Sequence, residues 1–160
     1  MIRLLGIMLI SASVGIYGLF MSQRVKYTQC IREDILCLLK ALERDIKYGN
    51  RSVSEIITEF KAKTCDLQDM IEKITSGNDI SEATDTHLSS LSETEREKVK
   101  NLLVAIGKSR RSEEELILCK NCIDFFEENN ATTKKNADAG SGLYAKLGLI
   151  GGILTIIILI

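Results

Sequence analysis

Ile31-Arg32-Glu33-Asp34-Ile35-Leu36-Cys37-Leu38-Leu39-Lys40-Ala41-Leu42-Glu43-Arg44-Asp45-Ile46 is the stretch on which the fold turns. Ile31, Ile35, Leu38, Leu42 and Ile46 recur three or four positions apart, so on a helix they line up as one apolar stripe. Such a stripe holds its helix in place only when it is buried against other helices. Gly49, free to take the left-handed conformation, is the expected stop.

The same spacing continues outward, and no proline interrupts it anywhere in the 160 residues. Three helix starts carry the capping-box pattern, in which a serine hydroxyl accepts from the backbone three residues on and a glutamate there accepts in return. They are Ser52 with Glu55, Ser92 with Glu95, and Ser112 with Glu115. Asp66 and Asp79 are expected caps for two shorter helices, whose buried residues are Leu67, Met70, Ile71 and Ile74, then Ile80, Ala83, Leu88 and Leu91. A fifth helix buries Val99, Leu102, Leu103 and Ile106 and stops near Gly107. A sixth shows Leu116, Cys119, Ile123 and Phe126 before fading into the polar stretch 129–136. The fold class read from this is all-α, a compact bundle of about six helices joined by tight polar turns, with no internal repeat.

Charge divides the chain differently. The 21 Lys and Arg nearly balance 22 Asp and Glu, so nothing in the totals suggests a nucleic-acid footprint. Apart from Arg3, however, every charged residue lies between Arg24 and Lys146. Leu4 to Met21 would make about 27 Å of uncharged helix, close to the thickness of a bilayer's hydrocarbon core. A cleaved signal peptide competes for that segment, but it lacks a small-residue cleavage site before the charged helix begins. Leu143 to Ile160 reaches a similar length if the Lys146 amine extends to the interface beside Tyr144. The expected domains are therefore an N-terminal transmembrane helix at 1–21, a helical-bundle domain at 22–141 and a C-terminal transmembrane helix at 142–160, with Gly140 and Gly142 bracketing a hinge. Arg24, Lys26 and Arg32 follow the first segment and Lys134, Lys135 and Lys146 precede the second, so the central domain should face the cytosol. The odd count of five cysteines fits a reducing compartment.

Candidates for chemistry are few. Cys119 and Cys122 form a CxxC, but no second CxxC and no neighbouring histidine completes four zinc ligands. Core packing of Cys119 with an exposed Cys122 is the expected arrangement. His87, the single histidine, reads as a residue on the face of a helix. Glu93, Glu95 and Glu97, and the run Glu113 to Glu115, fall in first helical turns, where carboxylates favour the helix dipole. No glycine-rich phosphate loop is present. Ser11 with Gly15, and Gly148 with Gly152, are small residues four apart, a spacing that lets helix backbones approach closely. No cofactor, metal or small-molecule substrate is expected, and the chain does not read as an enzyme.

Several blocks, in order, resemble one family. They are Met1-Ile2-Arg3-Leu4-Leu5-Gly6; Leu39-Lys40-Ala41-Leu42-Glu43-Arg44-Asp45-Ile46-Lys47-Tyr48-Gly49; Leu91-Ser92-Glu93-Thr94-Glu95-Arg96-Glu97 leading to Ile106-Gly107-Lys108-Ser109; and Lys146-Leu147-Gly148-Leu149-Ile150-Gly151-Gly152. Their order and spacing resemble the stage III sporulation protein AB family. The chain departs from the family at Arg110, where an Asp is usual, and at Glu113 to Glu115, where the last helix usually starts rich in Gln.

The resemblance implies a subunit of the channel or secretion-like complex that connects mother cell and forespore in endospore formation. It would sit in the mother-cell membrane around the forespore. The family is similar to the cytosolic domains of type II secretion and type IV pilus platform proteins, which dock a hexameric ATPase. The implied partners are therefore the sporulation ATPase, stage III sporulation protein AA, and other membrane subunits. Within the matching block, Glu43, Arg44, Asp45 and Lys47 lie off the buried stripe, so they could present charge to such a partner; an ordinary solvated helix face, with Glu43 paired to Lys47, would look the same. Two other classes remain open: a stand-alone membrane scaffold that recruits a different partner, and a small membrane enzyme built on Cys119 and Cys122.

Overall fold

The computed structural model describes residues 2–48, 52–106 and 113–159. These form six α-helices: α1 Ile2–Tyr48, α2 Val53–Glu59, α3 Cys65–Thr75, α4 Ile80–His87, α5 Glu93–Ile106 and α6 Glu113–Leu159. No strand occurs among the described residues. By its contacts the chain divides into two compact units: a bundle unit of residues 30–131, and a helix-pair unit of residues 1–29 and 132–160.

In the bundle unit the expected stripe of α1 is buried, with Ile31, Ile35, Leu38 and Leu42 at most 2% exposed, joined by Leu39; Ile46 packs at its edge. Against it lie Leu67, Met70 and Ile71 of α3, Val99, Leu102, Leu103 and Ile106 of α5, and Cys119, Ile123 and Phe126 of α6. Each such side chain contributes about 1.5–3 kcal/mol by leaving water, which makes this contiguous core the main support of the fold. Phe125 meets Phe126 edge to face at 5.7 Å, and the Lys98 amine lies 4.6 Å from the centre of the Phe125 ring.

Local chemistry sets the helix ends. At Ser52 the box is complete: Glu55 N–H donates to the serine Oγ, and Ser52 N–H donates to the Glu55 carboxylate. Ser92 and Glu95 exchange the same pair of bonds. Asp79 caps α4 by accepting from Ser81 N–H. Asp66, however, is not a cap: α3 begins at Cys65 after Thr64, and Asp66 falls in the first turn, where its charge suits the dipole. Gly77, at φ +86°, closes α3; Gly77 N–H donates to Ile74 O and Asn78 N–H to Lys73 O, the paired bonds of a left-handed helix stop. The expected stops at Gly49 and Gly107, and the box of Ser112 with Glu115, lie outside the described residues.

α1 runs without a break from its apolar start into the Ile31 stripe, whereas α6 departs from expectation by passing through 129–136 and the supposed hinge at Gly140 and Gly142 as helix. With no proline there, and with glycine costing only about 1 kcal/mol in a helix interior, packing holds these segments helical. Among the described residues no helix is long and apolar enough to cross a membrane. The expected transmembrane helices at 1–21 and 142–160 are thus not supported among the described residues. The side chains of 1–5, 7–9, 156 and 158–160 lie outside the described ones.

Within the helix-pair unit, α1 and α6 run antiparallel on small residues. The Ser11 hydroxyl donates to Gly152 O at 2.7 Å. A Cβ placed on Gly18 would sit 2.7 Å from Gly148 Cα and from Tyr144 O, nearer than side-chain atoms approach, so only glycine fits. Gly148 and Gly152 thus act as a close-packing pair as their spacing suggests, whereas Gly15, four residues from Ser11, has open space around its Cα.

Candidate docking face of the bundle unit

The charged residues of the matching block ride on the outer side of the α1 stripe. Leu39 and Leu42 are buried, so the helical turn carries Arg44 and Lys47 outward, while Glu43 and Asp45 sit half-buried at the edge. Among the described residues no ion pair joins Glu43 to Lys47. The Lys47 amine lies 4.9 Å from the centre of the Tyr48 ring, and hydrogen bonding to the Tyr48 side chain, then the charges of Tyr48 and Glu43, raise its pKa above the usual 10.5. Two turns earlier, Lys40 pairs with Glu127 of α6 at 2.6 Å, and that bond chiefly raises the lysine's pKa. Both partners are about half exposed, so the pair contributes little to stability.

Cys119 fixes α6 against this turn. Its thiol donates to the Leu39 carbonyl at 3.4 Å, and the Glu43 backbone faces the sulfur. Burial, with neighbouring Cys122, pushes the Cys119 thiol up to about 12. Burial likewise takes Cys122 to about 11, against the pull of Lys98. Cys122 is only 5% exposed, contrary to the exposed position expected from sequence, because α6 turns 119, 122, 123 and 126 toward the core together. Thiols so raised stay protonated at neutral pH, which suits packing and not the nucleophile or metal ligand that thiolate chemistry needs. Among the described residues no group of three His, Cys, Asp or Glu is placed to hold a metal ion.

Anchoring Cys119 inward leaves Ile117 and Leu118 outward, 56% and 45% exposed, and Tyr48 at the end of α1 is 76% exposed. The outer faces of α1 and α6 therefore combine cations (Lys40, Arg44, Lys47), carboxylates (Glu43, Asp45, Glu127) and a few large apolar side chains. That mixture suits recognition of a protein surface, where a few apolar or aromatic residues carry affinity and charges set encounter and register. The exposure of the apolar part was not legible in sequence: Ile117 and Leu118 lie off the stripe of Leu116 and Cys119, but spacing alone does not say whether another helix covers them.

Two buried polar contacts stiffen the platform below. Arg32 Nε donates to Glu95 Oε1 at 2.7 Å and Nη2 to Oε2 at 3.3 Å. Burial pushes the Glu95 carboxyl up, but Arg32 and the Ser92 donors outweigh it and leave its pKa below the usual 4.5. Asp34, 3% exposed, accepts from Lys63 N–H, Thr64 N–H and Thr64 Oγ1 through one oxygen, tying α1 to the α2–α3 connection. Thus the first-turn reading of the acidic clusters holds for Glu93 and Glu97, which are exposed, but Glu95 also turns inward and Glu115 is buried. His87 is the last residue of α4, half-buried, and not a mid-helix residue.

Compared with known families, residues 3–160 match the family model of stage III sporulation protein AB. No curated protein and no solved structure matches the chain.

Proposed function

Because the chain belongs to the stage III sporulation protein AB family, which ties it to sporulation, we propose that it is a non-catalytic, membrane-anchored subunit of the channel or secretion-like complex between mother cell and forespore. In this reading the helix-pair unit lies within the mother-cell membrane around the forespore. The bundle unit faces the cytosol and docks the ATPase of the complex, stage III sporulation protein AA, through the outer faces of α1 and α6.

The observation that carries the membrane part is where the helix pair puts its large apolar residues. Glycines occupy the seam, and Ile16, Phe20, Leu149 and Ile157 point away from it, each more than 60% exposed. In soluble proteins an apolar residue normally enters the interior and the small or polar ones stay outside. A pair packed on small residues with aliphatic exteriors is the arrangement suited to lipid, where no hydrophobic gain draws large side chains inward. The ATPase part is supported by the mixed charged and apolar face, and by kinship with platform proteins.

The test is co-flotation. Full-length chain reconstituted in vesicles is mixed with the purified ATPase, with and without nucleotide, and spun through a density gradient. The ATPase is expected to float with chain-bearing vesicles and to stay behind with empty ones. An ATPase that stays behind in both nucleotide states, while the chain floats, would leave a scaffold that recruits another partner. Protease protection of either chain end in the same vesicles reports whether the pair crosses the bilayer.

A further inference from the structure

Beside the Gly18–Gly148 contact lies an apolar groove of about 380 Å³, open along one side and lined by Val14, Tyr17, Met21 and Val25 of α1 with Tyr144 and Leu147 of α6. Its volume falls within the ~300–1,000 Å³ of ordinary small-molecule sites. From Val14 to Val25 it follows α1 for about 16 Å, roughly half of a ~30 Å hydrocarbon core and so the depth of one leaflet. Val25, at one end, stands between Arg24 and Lys26, both exposed. The cations are part of a wider asymmetry. The helix-pair unit carries Arg3, Arg24, Lys26, Lys134, Lys135 and Lys146 against Asp138 alone, a net +5, while the bundle unit, with 15 basic and 21 acidic residues, is −6.

We infer that this groove holds one acyl chain of an anionic phospholipid, whose phosphate is met by Arg24 and Lys26. An apolar slot one leaflet deep, whose end residue Val25 is flanked in sequence by two exposed cations within a strongly basic unit, complements a lipid that is apolar along its length and negative at its end. A second copy of the chain fits less well, since two such units would each bring a net positive charge to the contact. The inference rests on the membrane placement above, and its test separates the two.

The chain has no tryptophan and four tyrosines, two of which, Tyr17 and Tyr144, line the groove. Tyrosine emission from full-length protein in phosphatidylcholine nanodiscs can therefore be quenched from inside the groove by lipid brominated on its acyl chains. At equal mole fraction, brominated phosphatidylglycerol is expected to quench several-fold more than brominated phosphatidylcholine. Arg24→Gln with Lys26→Gln should abolish the difference, and Leu147→Phe, which fills the groove without touching the glycine seam, should reduce it while the helical circular dichroism stays unchanged. Equal quenching by the two lipids in protein that floats with vesicles would overturn the lipid site and leave the membrane placement standing. Protein that floats with neither lipid would overturn the membrane placement and the site together. Two copies per nanodisc with no headgroup preference would give the groove to a second copy and overturn the inference.

Discussion

Arg32 and Glu95 stand 63 positions apart, yet their side chains meet at 2.7 Å with Glu95 almost fully enclosed. No local pattern announces such a pair; the sequence shows Glu95 only as half of a capping box. Removing one partner of an enclosed ion pair leaves the other charge stranded, so Arg32→Ala should cost about 3 kcal/mol at neutral pH, measured by urea unfolding of the full chain in detergent. Glu95→Gln, which keeps an oxygen for Ser92 and strands no anion, should cost less. The pH dependence follows from the depressed Glu95 carboxyl. Its stabilising effect is present above the ordinary 4.5 and is lost as pH falls through the lower folded-state value. The wild type should therefore lose stability below about pH 4.5 more steeply than Glu95→Gln; identical acid limbs would sink this assignment. The cysteines give a second prediction. Cys30, Cys37 and Cys65 are exposed, whereas Cys119 and Cys122 are buried and protonated. Native protein treated with maleimide should gain three labels quickly and the last two only on unfolding, as read by intact mass. Five rapid labels would put the CxxC back among candidate reactive pairs.

Helix starts and stripes were legible wherever the signal is local. Ser52, Ser92 and Asp79 cap where their side-chain oxygens predict, and the α1 stripe is buried as its spacing requires. What failed was the end of α6: the polar stretch 129–136 and the glycines at 140 and 142 look like a hinge, but a helix needs only hydrogen-bonding backbone and tolerable side chains to run on through such a change. Gly18 and Gly15 make the element-scale test. Both lie in the interior of α1, where Gly→Ala normally stabilises a helix by about 0.5–1 kcal/mol. Gly15 has room, so Gly15→Ala should raise or preserve the melting temperature. At Gly18 the new Cβ would meet Gly148 Cα and Tyr144 O at 2.7 Å, so Gly18→Ala should lower it by forcing α1 and α6 apart. Equal shifts at the two sites would mean that the seam does not hold the pair.

At the scale of the whole molecule, a net charge of −1 conceals a basic helix pair and an acidic bundle. Counting totals hides this, and the division becomes visible only once the two 47-residue helices are seen to contribute a part to each unit. The face proposed for docking was half legible for a similar reason. Helical spacing places Arg44 and Lys47 outside and Cys119 in the core, but it cannot tell that Ile117 and Leu118, off that stripe, are left exposed. An acidic bundle should recruit its partner through basic surface, with the charges governing approach more than final affinity. Replacing Glu43 and Asp45 together with Lys changes the local charge by four units without touching Leu39 or Leu42, so the helical circular dichroism should stay unchanged. Docking of the ATPase to vesicle-bound chain should weaken by roughly tenfold, chiefly through slower association, and the deficit should shrink as salt is raised, because exposed charges are screened over about 8 Å at physiological ionic strength. If the double variant binds as the wild type does while Ile117→Asp abolishes binding, the contact is apolar and α6 carries it; if neither change matters, the ATPase docks elsewhere and this face serves another subunit.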